Sequence, residues 1–213
     1  MSAMPFVAPA KGPIILETPN FYMRRISPAD ASERIGAWFE QAEIAEGLNA
    51  APVRKSVAEV EKWFASFDQQ TNRVNGMFDK RNDLLVTIAN SQFNWEAGRV
   101  MMNLVVGEAA YRHCGVILEA SVPVRDFYFD EMHMKVVTGT ALATNRTIVA
   151  FLENTGFVRN QTLKEYKVSK QTGRPVDLYL YSQTREMWQE WKSKNAEMIE
   201  MMRDCSSRLP AVS

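Results

Sequence analysis

The sequence predicts a mixed α/β domain with mostly antiparallel neighbouring strands and one strand–helix–strand crossover in its middle. Three observations carry this. Short runs rich in β-branched and aromatic residues recur between turn residues. Helical periodicity separates some of those runs and not others. The strongest apolar run, over 100–106, leads into a long helical pattern and then another strand, which is the crossover. At roughly 100–200 residues per domain, 213 residues make one domain with an appendage.

The elements follow in order. Residues 1–13 contain Pro5, Pro9, Gly12 and Pro13, with no basic start before an apolar stretch. They read as a loose arm and not as a signal peptide. The domain proper is expected over 14–183. An extended entry holds a strand over 21–26. Ser27-Pro28 then opens a helix, with Pro at its first position and Asp30 in its first turn, and Ile35, Trp38 and Phe39 share one face. A connection over 40–55 holds a short helical piece. Ser56, followed three residues later by Glu59, forms a capping box, and its helix buries Val60, Trp63, Phe64 and Phe67.

Strands are expected over 73–78, 84–89 and 100–106, with a turn over 94–98 and Gly107 stopping the last. A helical pattern covers 115–132, with Pro123 inside it to kink it or shift its start. A strand over 135–138 and a helix over 145–154, closed by Gly156, come next. Strands over 163–168 and 176–181 join through Gln171, Thr172, Gly173 and Arg174 as a hairpin. A final helix spans 184–203 in a C-terminal segment over 184–213.

Composition narrows the function. Apolar residues make up 46% and charged residues 23%, ordinary for a globular protein. The 25 basic and 25 acidic residues cancel, so no broad cationic field exists to hold nucleic acid or an anionic membrane. No apolar run approaches the ~20 residues that span a bilayer. Two cysteines and two histidines exclude a disulfide scaffold and a four-cysteine zinc site, and reduced thiols fit a cytoplasmic protein.

The informative stretch is 101–120: apolar strand, Gly107, a short loop, Arg112-His113-Cys114-Gly115, then a helix. The first helical N–H groups are unpaired and the helix dipole adds partial positive charge, so a pyrophosphate fits there. A loop and helix with one glycine is also plain connectivity.

Several segments together resemble the GNAT superfamily of acyl-CoA-dependent N-acetyltransferases, in particular the subgroup like the ribosomal-protein acetyltransferases. Ile15-Leu16-Glu17-Thr18-Pro19, Phe21 to Arg25 and Ser27-Pro28-Ala29-Asp30 resemble the family's opening strand and helix. Arg112-x-x-Gly115 with Glu119-Ala120 resembles its pyrophosphate loop, and Phe127-Tyr128-Phe129 the aromatic end of the next helix. Asn145-Arg146-Thr147-Ile148, Glu153 and Gly156-Phe157 resemble its second signature. The resemblance covers 14–183. It implies a mostly antiparallel central sheet with splayed central strands, to which this chain adds a C-terminal helix.

For individual residues, the resemblance implies that Val105, Val106 and Gly107 splay from the next strand and pair with the pantetheine arm of acetyl-CoA. One N–H there, assigned to Val106, would polarise the thioester carbonyl. The amides of His113, Cys114, Gly115, Val116, Ile117 and Leu118 would cradle the pyrophosphate, with Arg112 starting the loop. Asn145 would face the cofactor channel. On the residues alone, Val105 and Val106 are equally core strand residues and Asn145 a helix N-cap.

The chain departs from the family pattern in places. Ile117 stands where the family prefers Gly or Ala, and His113 replaces a common glycine. Leu152 stands at the place of a general-acid Tyr; Thr140 and Met101 stand at two places where members carry a Glu. None of these three residues moves a proton, so direct attack is expected, with the proton passing to water or to a base elsewhere. Asn103, the one polar side chain in its strand, either orients water or acceptor or is a buried hydrogen-bonded Asn. Glu108 is a second candidate base, and Tyr111 reads as packing. Cys114 at a helix start is a candidate reactive thiol; His133 reads as a C-terminal cap.

The acceptor is expected between the 40–55 connection and the 166–179 hairpin. There Glu40, Glu43 and Glu46 either draw a cationic amine or form a solvated face, and Tyr166, Tyr179 and Tyr181 either line a site or pack the sheet. On the final helix, Met187, Trp188, Trp191, Met198, Ile199 and Met202 form a stripe, facing either the chain's own sheet or a second copy in a homodimer. The expected function is acetyl transfer from acetyl-CoA to a primary amine, on a protein N-terminus, an amino sugar or a small amine. The alternative is a catalytically degenerate acyl-CoA-binding or protein-interaction module.

Overall fold

The computed structural model describes residues 12–211, so the expected N-terminal arm falls outside it apart from its last two residues. The described strands are β1 (Ile14–Glu17), β2 (Phe21–Arg25), β3 (Asn72–Asp79), β4 (Leu84–Asn94), β5 (Arg99–Val106), β6 (Val136–Leu142), β7 (Val158–Val168) and β8 (Pro175–Thr184). The helices are α1 (Glu33–Trp38), α2 (Ala42–Gly47), α3 (Val57–Ala65), α4 (Val116–Asp126), α5 (Arg146–Asn154), α6 (Arg185–Lys194) and α7 (Ala196–Arg203). The strands form one sheet in the order β1-β2-β3-β4-β5-β6-β8-β7. Every neighbouring pair is antiparallel except β5 and β6. This is the mixed, mostly antiparallel α/β architecture that the sequence predicts.

Alternation along each strand sends side chains to two covered faces. On one face, Ile35, Trp38, Ile44, Val60 and Phe64 from α1, α2 and α3 pack on Val74, Phe78, Leu85 and Ile88. On the other, Tyr128, Phe129, Leu152 and Trp188 pack on Val100, Val137, Ala141 and Tyr181. Nearer the start of α4, Val116 and Ala120 pack with Phe21, Met77, Val86 and Cys205. Ser56 begins α3 as expected: its hydroxyl accepts from the Glu59 amide and Glu59 accepts from the Ser56 amide.

Three helical boundaries differ from the sequence reading. The helix expected from Ser27 onward is a 3₁₀ turn (Pro28–Asp30) followed by a separate α1, because Ser32 takes extended geometry and its hydroxyl accepts from the Ile35 amide. Pro123 stays inside α4, but past Asp126 the chain widens into a π-helical turn over Phe127–Glu131. His133 follows with φ +54°, a left-handed residue just beyond the turn. The single final helix is two: Asn195, at φ −126° and ψ 33°, divides α6 from α7, and its side-chain Nδ2 donates back to the Trp191 carbonyl.

Of the apolar stripe on these last helices, Trp188 is fully buried and Met202 nearly so, against the chain's own core, while Met187, Trp191, Met198 and Ile199 stay half-buried. Among the described residues no helix is long and apolar enough to cross a membrane.

Candidate active site

β5 and β6 pair only at Arg99 with Val136, Val100 with Val137 and Met101 with Thr138. Beyond that they part. β5 stays with β4 as far as Val106, paired with Thr87, and β6 stays with β8 as far as Leu142, paired with Leu178. The gap opens into a cleft of about 380 Å³ that passes through the sheet. Met102, Asn103 and Leu104 line it from β5, Thr138 to Leu142 from β6, Ile117, Ala120 and Val124 from α4, and Ile148 and Leu152 from α5. Gly47 to Asn49, on the opposite face of the sheet, close its other end.

The loop before α4 is held from below. Tyr111 is buried and its hydroxyl donates to Asp79 Oδ2 at 2.7 Å. Burial alone would raise the Asp79 carboxyl, but hydrogen bonds from Arg81 and Tyr111 outweigh it and hold the group below the usual range. Gly115 then takes φ +88°, which an L side chain tolerates poorly, and no side chain caps α4. Glu119 anchors the first turn. Burial pushes its carboxyl up, but donors from Thr18, Asn20 and the Cys205 amide outweigh that and leave it lowered.

Of the residues named from the sequence, Asn103, Val116, Ile117 and Asn145 line the cleft. Asn103 is exposed there, not a buried hydrogen-bonded Asn. Asn145 also caps α5, its Oδ1 accepting from the Ile148 amide at 3.3 Å. His113 and Leu118 are exposed, and Cys114 is buried with its thiol on the Ala110 carbonyl.

Other expectations are corrected. Arg112 does not face the α4 start. It turns to Glu43 and Gln41, and its Nε and Nη2 donate to the Val106 and Gly107 carbonyls at 3.3 Å each. The Gly107 amide is also taken, by Val86. The backbone edge left without a β6 partner begins at Met102 and runs through Val105 and Val106, two of the residues expected to splay. Gly107 has a packing role instead, since a Cβ there would lie 2.0 Å from the Trp38 ring. Val105 packs with the Trp38 side of the core and Val106 with the Tyr111 side.

Glu108 is bound by Arg34 and by Trp38 Nε1, which removes it as a base. Tyr179 and Tyr181 pack in the core beside α5, off the acceptor side. Glu43 is engaged by Arg112 and Glu40 by Arg54.

The 40–55 connection and the β7–β8 hairpin meet directly. Asn49 Nδ2 donates to the Val168 carbonyl and its Oδ1 accepts from the Lys170 amide, both at 2.9 Å; Gln171 reaches the Ala50 carbonyl. These bonds clip the α2–α3 connection to the β7–β8 hairpin.

Two arginines were missed by the sequence reading. Arg208 comes from the C-terminal segment. Its Nε donates to the Cys114 carbonyl at 3.2 Å, and its Nη2 lies 2.7 Å from where a Gly115 Cβ would stand. Nothing local in the sequence signals that return. Arg125 lines the cleft and is 2% exposed, and burial pushes its guanidinium down to about 9. Its signal was legible: a charged residue among Ala120, Ser121, Val124 and Tyr128 on the buried helical face. Among the described residues the cleft lining contains no Asp, Glu or His.

A central sheet whose parallel pair splays beside a glycine-started helix defines an acyltransferase-like architecture. A family model described as an acetyltransferase (GNAT) domain matches residues 20–158, and the chain belongs to that family. No curated protein matches it significantly. Among solved structures, the ribosomal-protein-S5-alanine acetyltransferase from Vibrio fischeri matches with TM-score 0.67 at 15% identity, over 81% of this chain and 97% of that one. The spermidine N-acetyltransferase from Vibrio cholerae, in complex with CoA and spermine, gives 0.68 at 14%, over 80% and 98%. A GCN5-related N-acetyltransferase from Brucella melitensis gives 0.70 at 16%, over 90% and 86%. At these identities the likeness is one of fold.

Proposed function

We propose that this chain transfers an acetyl group from acetyl-CoA to a primary amine by direct attack. The observation that carries this is the cleft between β5 and β6, open to both faces of the sheet, with the uncapped start of α4 on one face. In this reading the pyrophosphate lies on the amides that follow Gly115, where dipole and free N–H groups favour it. Arg208 supplies the cation that Arg112, occupied by Glu43 and Gln41, does not. The pantetheine arm runs along the unpaired β5 edge, and an N–H of that edge holds the developing oxyanion.

The amine enters between the α2–α3 connection and the hairpin. Its nitrogen bonds the carbonyl carbon, the C–S bond breaks, and CoA leaves as the thiolate, which takes a proton from water. The departing proton passes to water, since the lining has no carboxylate or imidazole. Asn103, polar and exposed in the cleft, orients the amine or that water. A protein N-terminus, an amino sugar or a small amine fits this side, whereas a polyamine finds no lining carboxylate to pair with. The two free thiols, Cys114 and Cys205, both buried, suit a reducing cytoplasm.

Isothermal titration of acetyl-CoA tests the reading, with Gly115→Trp as the blocked loop. Micromolar binding that the folded variant loses supports it, and release of free CoA on adding amines supports turnover. Binding without release to any amine favours the degenerate module. No binding by the folded wild type overturns the transferase reading and leaves a protein-interaction scaffold.

A further inference from the structure

The proposed transfer leaves one charged group of the cleft unused. Arg125 Nε donates to the Ser121 carbonyl at 2.9 Å, and Nη1 donates to the Thr155 carbonyl at 2.6 Å and Gln183 Oε1 at 3.4 Å. The guanidinium lies 4.0 Å over the Trp188 ring. Nη2 is buried and has no hydrogen-bond partner. Among the described residues no carboxylate hydrogen-bonds or ion-pairs with Arg125; Asp126 acts on it only through space. The adjacent Asp126 is committed elsewhere, its Oδ1 accepting from Trp188 Nε1 at 2.8 Å and Lys192 Nζ at 2.6 Å.

Asp126 favours the Arg125 charge through space, yet a buried cation with an orphaned donor and no hydrogen-bonded carboxylate is still costly. A brace between two carbonyls and an amide needs no full charge. Among the described residues, the one other charged side chain on the lining is Lys167, also a cation. Among the described residues, the cleft lining therefore carries two cations and no carboxylate.

Position selects what would supply the negative charge. Arg125 is on α4, about 15 Å beyond Gly115 at 1.5 Å rise per residue. It packs with Phe157 and Trp188, on the face of the sheet that carries α4, α5 and α6. That is the cofactor side, whereas an acceptor enters past Gly47 to Asn49 on the other face.

We propose that Arg125 makes this end of the cleft a carboxylate subsite, so that the preferred acyl donor is a CoA thioester of a short dicarboxylic acid. The inference rests on the acyl-CoA reading above and deepens it. The balance of the transfer is unchanged: the amine nitrogen bonds the thioester carbon, the C–S bond breaks, one proton leaves the amine and CoA departs as the thiolate, which takes a proton from water. The distal carboxylate stays ionised, paired with Nη2.

The test compares succinyl-CoA, butyryl-CoA and acetyl-CoA by titration against the wild-type chain. Butyryl-CoA has the same acyl chain length without the carboxylate. A charge-assisted pair in a largely apolar cleft should make succinyl-CoA bind at least about tenfold tighter than butyryl-CoA. In folded Arg125→Gln that ratio should fall to about one. If the variant does not fold, the wild-type ratio decides alone. Equal or weaker binding of succinyl-CoA, or a ratio that survives in Arg125→Gln, overturns the subsite and leaves acyl-CoA binding intact. Failure of all three thioesters to bind overturns the subsite together with the reading beneath it.

Discussion

Two helices begin at the edge of the cleft, and they begin differently. α5 starts on Asn145, whose side chain takes the Ile148 amide and spends one of the helix's orphan donors internally. α4 starts on Gly115, which has no side chain to offer, and is fixed instead by Glu119 one turn in. The first arrangement stabilises a helix; the second holds a helix in place while leaving its first amides available. One N-terminus is finished by the protein; the other is left for the proposed cofactor to finish.

The sharpest way to break this contrast is Gly115→Trp. It puts a bulky side chain at φ +88° and against Arg208, and titration should show acetyl-CoA affinity falling more than about a hundredfold while a thermal melt still shows a folded chain. Retained binding would mean that α4's start holds no phosphate.

Glu119→Gln is expected to cost about 2 kcal/mol in chemical denaturation at pH 7, because it removes the charge that accepts from Asn20 and Cys205. The sign of its pH dependence follows from the lowered carboxyl. The stabilisation is complete above the ordinary value of 4.5 and is lost as pH falls through the lower folded one, so wild type and variant converge in acid.

Arg208→Ala should weaken acetyl-CoA about tenfold and flatten the dependence of affinity on salt, read by titration at two ionic strengths. The smallest effect belongs to the capped helix. Asn145→Ala should lower stability by about 1 kcal/mol in a denaturant melt and change cofactor affinity less than twofold. A variant with unchanged stability and weakened binding would move Asn145 from cap to ligand.

What the sequence disclosed is what local patterning controls. The Ser56–Glu59 box, the strand into Gly107, the glycine before α4 and the β7–β8 hairpin each write their geometry into neighbouring residues. The misread features depend on distant partners. Arg112 matches a motif, yet Glu43 and Gln41, on a helix far upstream, draw it aside. Arg208 reaches Gly115 only because α7 and the tail fold back over α4. Ser32 was hidden by Ser27-Pro28, a stronger helix-start signal a few residues earlier. The terminal stripe was visible, but whether it meets its own sheet or another copy is a tertiary fact.

The Glu119 carboxylate has a kinetic consequence. Its donors are separated from it by 101 residues at Thr18 and by 86 at Cys205. Contacts of that separation require large loops to close before any of their energy is returned, and they slow folding. Hairpins such as β3–β4 and β7–β8 need no such search. In refolding, secondary structure should therefore recover before the start of α4 is locked, and competence to bind a phosphate there should be among the last properties to return.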